Sequence, residues 1–404
     1  MNYVSDKMHM AIGLQPDALT AVVPDIFVPL MDEDMKVDPK NERVKQIVGI
    51  DWASNKMLQG EREAGGSITI QADPDNLGHF LNMTIKKGTS SGSAGAGYTH
   101  PFTVDDANYY TIEIVKGNAV QRFIGCQIGK LEFSFDGGYL VLKAEVIARG
   151  AFSTGTLKTA LTGAGMVAVV FDELYDPEPC NGLVTGDIIQ VQKADGTFVD
   201  VTVATVAANK KSITCAATDA TASIGALISL KQQTPSYETL QRPFKFGQCL
   251  VGFGANQTAA DANVASYALA TPVDEFSVVI DRNMNRRRAS GKNDALTLVG
   301  PSDGEFTVKK LFETAAQQQQ WMNISKKACS ILFTGDNIAT SYYSSLAIKL
   351  HNIKPNKHDN KLKKGEFIYD ETSFNVEYDD TDGKAIEVTL INKTIGTDME
   401  PSDS

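Results

Sequence analysis

The sequence predicts a mainly β protein: two similar sandwich or barrel domains, each with one flanking helix, and a small all-β domain inserted between them. Three observations carry this reading. Short stretches alternate apolar and polar residues with a period of two along most of the chain. Two segments instead space their apolar residues helically, at Leu77, Phe80, Leu81 and Thr84 and again at Leu311, Phe312, Ala315, Ala316, Gln319 and Met322. The order strand, helix, strands, hairpin recurs at an offset close to 240 residues, as a duplicated unit would.

Taken in order, residues 1–45 carry Pro16, Pro24, Pro29 and Pro39 with few periodic runs and read as an extended N-terminal arm. The first large domain spans 46–171. Its helix starts at Asp73, a side-chain cap, followed by Pro74, whose missing N–H costs nothing in the first turn. Tyr110, Ile112 and Ile114 alternate with Thr111, Glu113 and Val115, the pattern of a half-buried strand. Leu131, Phe133 and Phe135 form the outgoing arm of a hairpin that turns through Asp136-Gly137-Gly138 and returns along Leu140, Leu142, Ala144 and Val146. Residues 172–235 form the small inserted domain, with strands around Ile188–Val191, Val199–Val206, Ser212–Ala216 and Leu227–Lys231 and a turn at Asp195-Gly196. The second large domain spans 236–395. It has strands at Phe276–Ile280, Phe306–Val308, Ala328–Phe333 and Leu346–Leu350, and a final hairpin placing Phe374, Val376 and Tyr378 opposite Ile386, Val388 and Leu390. Residues 396–404 are an acidic tail.

Length and charge narrow the function. A chain of 404 residues is long enough for two or three domains with a large buried core. The formal charge of −11 disfavours non-specific nucleic-acid binding by the surface as a whole. No apolar run reaches the roughly 20 residues that span a bilayer, so no membrane insertion is expected, and no secretion signal is visible. Five cysteines, none closer than 34 residues to the next, exclude a CxxC zinc site and a disulfide framework. Charge is also segregated. Residues 366–404 hold 11 acidic side chains against Lys384 and Lys393, while Arg282, Arg286, Arg287 and Arg288 form a basic knot. Alternating zones of this kind suit a subunit that meets copies of itself.

The search for chemistry is negative. There is no phosphate loop, no GxGxxG turn and no HExxH pair. Gly88-Thr89-Ser90-Ser91-Gly92 matches the GxSxG nucleophile elbow, but that motif needs a strand before the serine and a helix after it. Here Gly92-Ser93-Ala94-Gly95-Ala96-Gly97 follows, the composition of a loop. Asp105-Asp106 and Asp379-Asp380 read as turn formers, and His79 and His100 as ordinary polar contacts. No catalytic, metal or cofactor site is expected, and no cofactor.

One stretch has a relative. Gly65–Ile70 as a strand, Asp73-Pro74-Asp75-Asn76-Leu77-Gly78 opening a lone helix, a glycine-rich loop, then Tyr98–Phe102, Tyr109–Glu113, Gly125–Ile128 and the Phe133–Ala148 hairpin resemble the major tail tube proteins of long-tailed bacteriophages. The resemblance covers Trp52 to Phe152 well and the C-terminal copy more loosely. It implies a β-sandwich with a flanking helix whose subunits join into rings, the rings stacking into a virion tube through which double-stranded DNA passes. With six tube domains in a ring, two per chain imply a trimeric, pseudo-hexameric ring. The implied partners are copies of itself, the tape measure, tail tip and terminator proteins, with assembly in the host bacterial cytoplasm. The four arginines are the expected ring-stacking contacts. The alternative is another self-assembling β-rich virion component (distal tail, tube terminator or capsid decoration) or the tube of a secretion system.

Overall fold

The computed structural model describes residues 8–44, 56–117, 119–173, 178–237, 241–287, 296–311, 325–339, 342–361, 369–395 and 399. The protein is mainly β, with two α-helices among these residues, α1 (Pro74–Thr84) and α2 (Gln257–Val264).

Its central feature is a curled antiparallel sheet of eight strands: β1 (Lys36–Val44), β2 (Lys56–Gln71), β3 (Ala119–Asp136), β4 (Tyr139–Ala148), β5 (Glu275–Asp281), β6 (Asp303–Leu311), β7 (Tyr342–Lys361) and β8 (Tyr369–Val376). The first four pair in the order β1-β2-β4-β3 and the last four in the order β5-β6-β8-β7. The two blocks therefore have one topology. Their second strands end at Gln71 and Leu311, 240 positions apart. They join edge to edge, with Lys130–Phe133 of β3 in antiparallel register with Val278–Asp281 of β5.

The reason each block holds is visible in its alternation. Leu131, Phe133, Leu142, Ala144, Ile68 and Ile70 point to one face, as do Val278, Ile280, Phe306 and Val308, and all belong to one buried core. At roughly 25 cal/mol per Å2 of apolar surface, large buried side chains of this type contribute about 1.5–3 kcal/mol each. The β3–β4 hairpin turns as expected: Asp136 pairs with Tyr139 and the two glycines between them take φ +57° and +85°, a conformation that disfavours other residues.

β3 and β7 are long enough to serve two sheets. The first part of β3 pairs with Tyr110–Lys116 and Gly150–Phe152, and His9–Leu14 completes that edge beside Ile26–Val28. The first part of β7 lies between Lys327–Ala339 and Ile386–Asn392, and the latter pairs on with Gly97–Thr103. Residues 1–45 thus contribute strands to the first block, in place of the extended arm expected.

Three further expectations are corrected. The final hairpin forms only at its turn, where Asp379 and Lys384 make an antiparallel bridge; beyond it β8 and Ile386–Asn392 each pair with a different part of β7, because a 20-residue strand offers one partner its first half and the other its second. The strand Tyr110–Lys116 is buried on both faces, since Gln15 and Val22 cover Thr111 on its second side and the inserted domain covers Glu113 and Val115. That domain also begins earlier than residue 172. Thr154–Thr156 and Leu161–Val170 pair with Leu227–Leu230 and Ser212–Ala222, giving a six-stranded sheet with its own core around Val191, Val201 and Ile228. The helix expected at Leu311–Met322 lies outside the described residues except for Leu311, the last residue of β6. α2 was not anticipated. Its cap, Asn256, accepts from the N–H of Ala259 through its side chain ahead of an alanine-rich turn.

Candidate functional site

The sheet ends in two strands of known kind. β1 pairs with β2 on one side, and the 354–361 part of β7 pairs with β8 on one side; among the described residues no strand pairs with the other side of either. Inside the chain, the equivalents of these two strands meet: β3 occupies in its block the place of β7, and β5 the place of β1. The internal seam is therefore a template for what the open edges can accept.

The seam is held by more than a ladder. Phe135 of β3 meets Phe276 of β5 edge-on at 5.0 Å and Phe246 at 4.9 Å, and the aromatic cluster continues through Phe306, Phe333 and Phe374. Aromatic pairs in this geometry add about 0.5–1.5 kcal/mol each beyond area burial. Two of the expected stacking arginines belong here. Arg282 is 4% exposed and its Nη1 donates to the carbonyls of Thr84 and Asp105, 2.6 and 2.5 Å away. Arg286 donates to the carbonyl of Ala64 at 2.5 Å and lies 3.5 Å from Glu63. Both stitch the second block to the first, a role that the clustering of four basic residues in sequence does not distinguish from a surface patch. Arg287 is exposed, and Arg288 lies outside the described residues.

The two faces of the eight-stranded sheet differ sharply. Opposite the apolar face, successive register partners run Thr69, Lys143, Glu132, Val279, Glu305, Asn375 and Lys354 across both blocks. The next row is Ser67, Glu145, Lys130, Asp281 and Asp303. These rows mix both signs, hold five carboxylates against three lysines, and contain no arginine.

A buried ion triad fixes the inserted domain. Arg122 donates to Glu113 at 2.8 and 3.0 Å, to Asp187 at 2.6 Å and to the carbonyl of Gly182 at 3.1 Å. Glu113 is held above the usual carboxylate range by burial, against the opposing pull of Arg122. Glu113 and Arg122 come from the first block, and Gly182 and Asp187 from the inserted domain.

The residues set aside as chemistry are placed as follows. Ser90 Oγ lies 2.8 Å from His100 Nδ1, and the buried His100 turns Nε2 to Asn392 Oδ1 at 2.9 Å and to the Thr394 carbonyl at 3.0 Å. No helix follows Ser90. The short strand Ser91–Ser93 returns directly to Gly97–Thr103, so the elbow geometry is missing and the relay ties the first block to Ile386–Asn392. His79 Nδ1 is 3.3 Å from the Tyr110 hydroxyl. Burial holds the imidazole at about 4. Asp105 accepts from Lys86 at 3.0 Å, which lowers its pKa. Asp379 caps its own turn through the N–H of Thr381 and pairs with Lys326; Asp380 is exposed. The five cysteines are all free thiols. No group of three or more metal-type ligands occurs among the described residues.

A tandem sheet with matched open edges, a sealed apolar face and a polar second face defines a β-rich structural protein. The family model for phage tail tube proteins matches residues 53–366, well over half of the chain, and the chain belongs to that family. It is a structural component of a phage tail. Among solved structures, the 6-fold symmetrised cryo-EM structure of the anti-feeding prophage (AFP) baseplate is similar at 12% identity. That likeness covers 35% of this chain and 92% of the other with a TM-score of 0.21, too low to carry an argument. No curated protein matches the sequence.

Proposed function

We propose that three chains close edge to edge into a ring, that rings stack into the tail tube, and that double-stranded DNA passes along the polar face of the sheet. The observation that carries this is the internal seam. Each chain already contains one joint between a β3-type and a β5-type strand, and it presents the two halves of a second such joint at its ends. Repeating the joint between chains satisfies both edges and removes an aggregation-prone surface.

Three chains would supply 24 strands. At about 4.8 Å between strands and a tilt of about 40°, the backbone circle is roughly 150 Å around and about 48 Å across. Side chains reduce that to on the order of 30–40 Å, wider than a DNA duplex of about 20 Å. With the apolar face sealed by core and helices, the lumen would be lined by the Ser, Thr, Glu, Asp and Lys rows. An arginine-rich wall would hold phosphates by counterion release, whereas a wall with more acid than base lets DNA slide.

Assembly in the host cytoplasm, and contacts with the tape measure, tip and terminator proteins at the ends of the tube, belong to the same reading. No helix among the described residues is long and apolar enough to cross a membrane. Electron microscopy of the purified protein, with its mass by light scattering, tests the proposal. Hollow tubes built from three-chain rings support it. Closed single rings that never stack point to a terminator or distal-tail role instead, and rings of six chains refute the two-blocks-per-chain closure.

A further inference from the structure

The internal seam and the two open edges correspond residue by residue, because the two blocks share a register as well as a strand order. Val141 of β4 pairs with Gln71, the last residue of β2, and Tyr369 of β8 pairs with Leu311, the last of β6. Val141 pairs on with Ser134 of β3, and Tyr369 with Lys361 of β7. Lys361 therefore stands in the second block where Ser134 stands in the first. Both ladders also carry the same irregularity. The β3–β4 pairing shifts between Ile128 and Lys130 and the β7–β8 pairing between Pro355 and Lys357, and Lys357 lies as far from Lys361 as Lys130 does from Ser134. On the other side, counted back equally from Gln71 and Leu311, Glu63 corresponds to Asp303. Their partners are Asp38 of β1 and Asp281 of β5.

In the seam Lys130 is opposite Asp281. Beside this pair the Arg282 N–H donates to the Gly129 carbonyl at 2.7 Å, which makes it a non-hydrogen-bonded pair, the kind whose facing side chains are closest. Its counterparts at the open edges are Lys357 and Asp38, again a base and an acid, and both are exposed. The alternation continues on either side. Positions 34, 36, 38 and 40 along one edge are Asp, Lys, Asp and Lys, and positions 361, 359 and 357 along the other are Lys, Asp and Lys. Asp34, which also accepts from the Ser67 hydroxyl, belongs to this run because Asp32–Glu33 keep the same register against β2 as Lys36 does.

We propose that neighbouring chains join in a single register, with Lys357, Asp359 and Lys361 of β7 opposite Asp38, Lys36 and Asp34 of a second copy, and that this alternation of charge selects it. This rests on the ring reading above and adds the register of the joint and the residues that set it. A slip of one residue turns the charged positions to the apolar face. A slip of two in one direction sets Lys357 against Lys36 and Asp359 against Asp34, leaving only Lys361 opposite an acid, Asp32. A slip of two in the other sets Lys357 against Lys40, Asp359 against Asp38 and Lys361 against Lys36. Like charges directly opposite one another are destabilising, so both slips are rejected as well as the seam register being favoured. The edges need such a code more than the seam does. Pro39 follows Asp38 where Arg282 follows Asp281, so the backbone bond beside the charge pair is missing from the joint between chains.

A double-mutant cycle and a cross-link test this. Lys357→Asp and Asp38→Lys are each expected to raise the concentration at which three-chain rings form by about threefold or more, since three joints change at once. The two together are expected to bring it back to the wild-type value. Single variants that assemble like the wild type, or effects that simply add in the double variant, overturn the proposal. The register is read separately. The pair Lys357→Cys, Asp38→Cys, oxidised with diamide after assembly, is expected to link chains on denaturing gels, whereas Lys357→Cys, Lys36→Cys is not. The reverse result overturns the register and leaves the ring reading standing. Three-chain rings with no cross-link from either pair place the joint elsewhere on the chain and overturn both. Wild-type chains that form no three-chain ring overturn the ring reading, and this register with it.

Discussion

Replacing His79 by Gln and, separately, Asp73 by Asn is expected to tilt the pH dependence of stability in opposite directions. Asp73 caps α1, accepting from the N–H groups of Asp75 and Asn76, yet burial raises its carboxyl to about 6. His79, six residues on, is fully enclosed and burial lowers it to about 4. As pH falls from 7, folded Asp73 takes up its proton before the unfolded chain does, so this group stabilises the fold increasingly down to its ordinary value of 3.8. His79 acts the other way: the unfolded chain protonates near 6.5 and the folded one resists until about 4. Each shift is about 3 kcal/mol in full, at roughly 1.4 kcal/mol per pH unit, with about 2 to 3 kcal/mol of it realised between pH 7 and pH 4. The two contributions therefore nearly cancel around α1. Without His79, stability relative to the wild type should rise by about 2 to 3 kcal/mol from pH 7 to pH 4; with Asn at position 73 it should fall by a similar amount. Urea unfolding of the three proteins at pH 4, 5, 6 and 7 measures this, because differences from wild type remove every other titrating group. Variants that both track the wild type within about 1 kcal/mol across the range would refute the burial argument for this helix.

Two further perturbations probe the joints. Arg122→Met strands Glu113 and Asp187 as buried carboxylates and should lower stability by roughly 3–5 kcal/mol. Limited proteolysis should then cut first between the first block and the inserted domain; an unchanged digestion pattern would show that the triad does not hold the two together. Phe135→Ala should cost about 3 kcal/mol and speed hydrogen exchange at Lys130–Phe133 and Val278–Asp281 before the β3–β4 pairing loosens, whereas uniform acceleration would mean that the blocks share no separable seam.

Much of the fold was legible because its signals are local. The Asp136-Gly137-Gly138 turn dictates a two-residue hairpin, and Asp73-Pro74 dictates a helix start; both stand where the sequence places them. Strand partners were less legible. Alternation reveals that Phe374, Val376, Ile386 and Val388 lie on strands, but it is the same whether two strands pair with each other or with a third. β7 claims both, and nothing in their own residues announces it. The covered second face of Tyr110–Lys116 had a signal that period-two reading discards: Glu113 alternates as a solvent residue would, yet Arg122, nine positions on, waits for it. Arg282 and Arg286 were misplaced for a similar reason. A run of basic residues looks like a surface until the carbonyls of Thr84 and Ala64, about 200 positions away, are seen to accept from it.

The open edges differ from the internal seam in one respect that bears on when rings form. β1 carries Pro39 and the open part of β7 carries Pro355, whereas the paired segments Lys130–Phe133 and Val278–Asp281 carry none. Proline removes a backbone donor and is found on edge strands, where it discourages unplanned pairing. The joint between chains would thus be made with fewer hydrogen bonds than the joint within one, at about 0.5–1.5 kcal/mol net for each bond missing. Summed over three joints in a ring, one missing bond each amounts to about 1.5–4.5 kcal/mol; because three chains combine in one closure, this shifts the concentration for spontaneous closure by roughly half to one and a half orders of magnitude. Pro39→Val and Pro355→Val are therefore expected to lower that concentration in dilution series followed by light scattering, with off-pathway aggregates increasing alongside rings. Variants that assemble at the wild-type concentration would show that neither proline tunes the edge, and that control of assembly lies in the stacking contact.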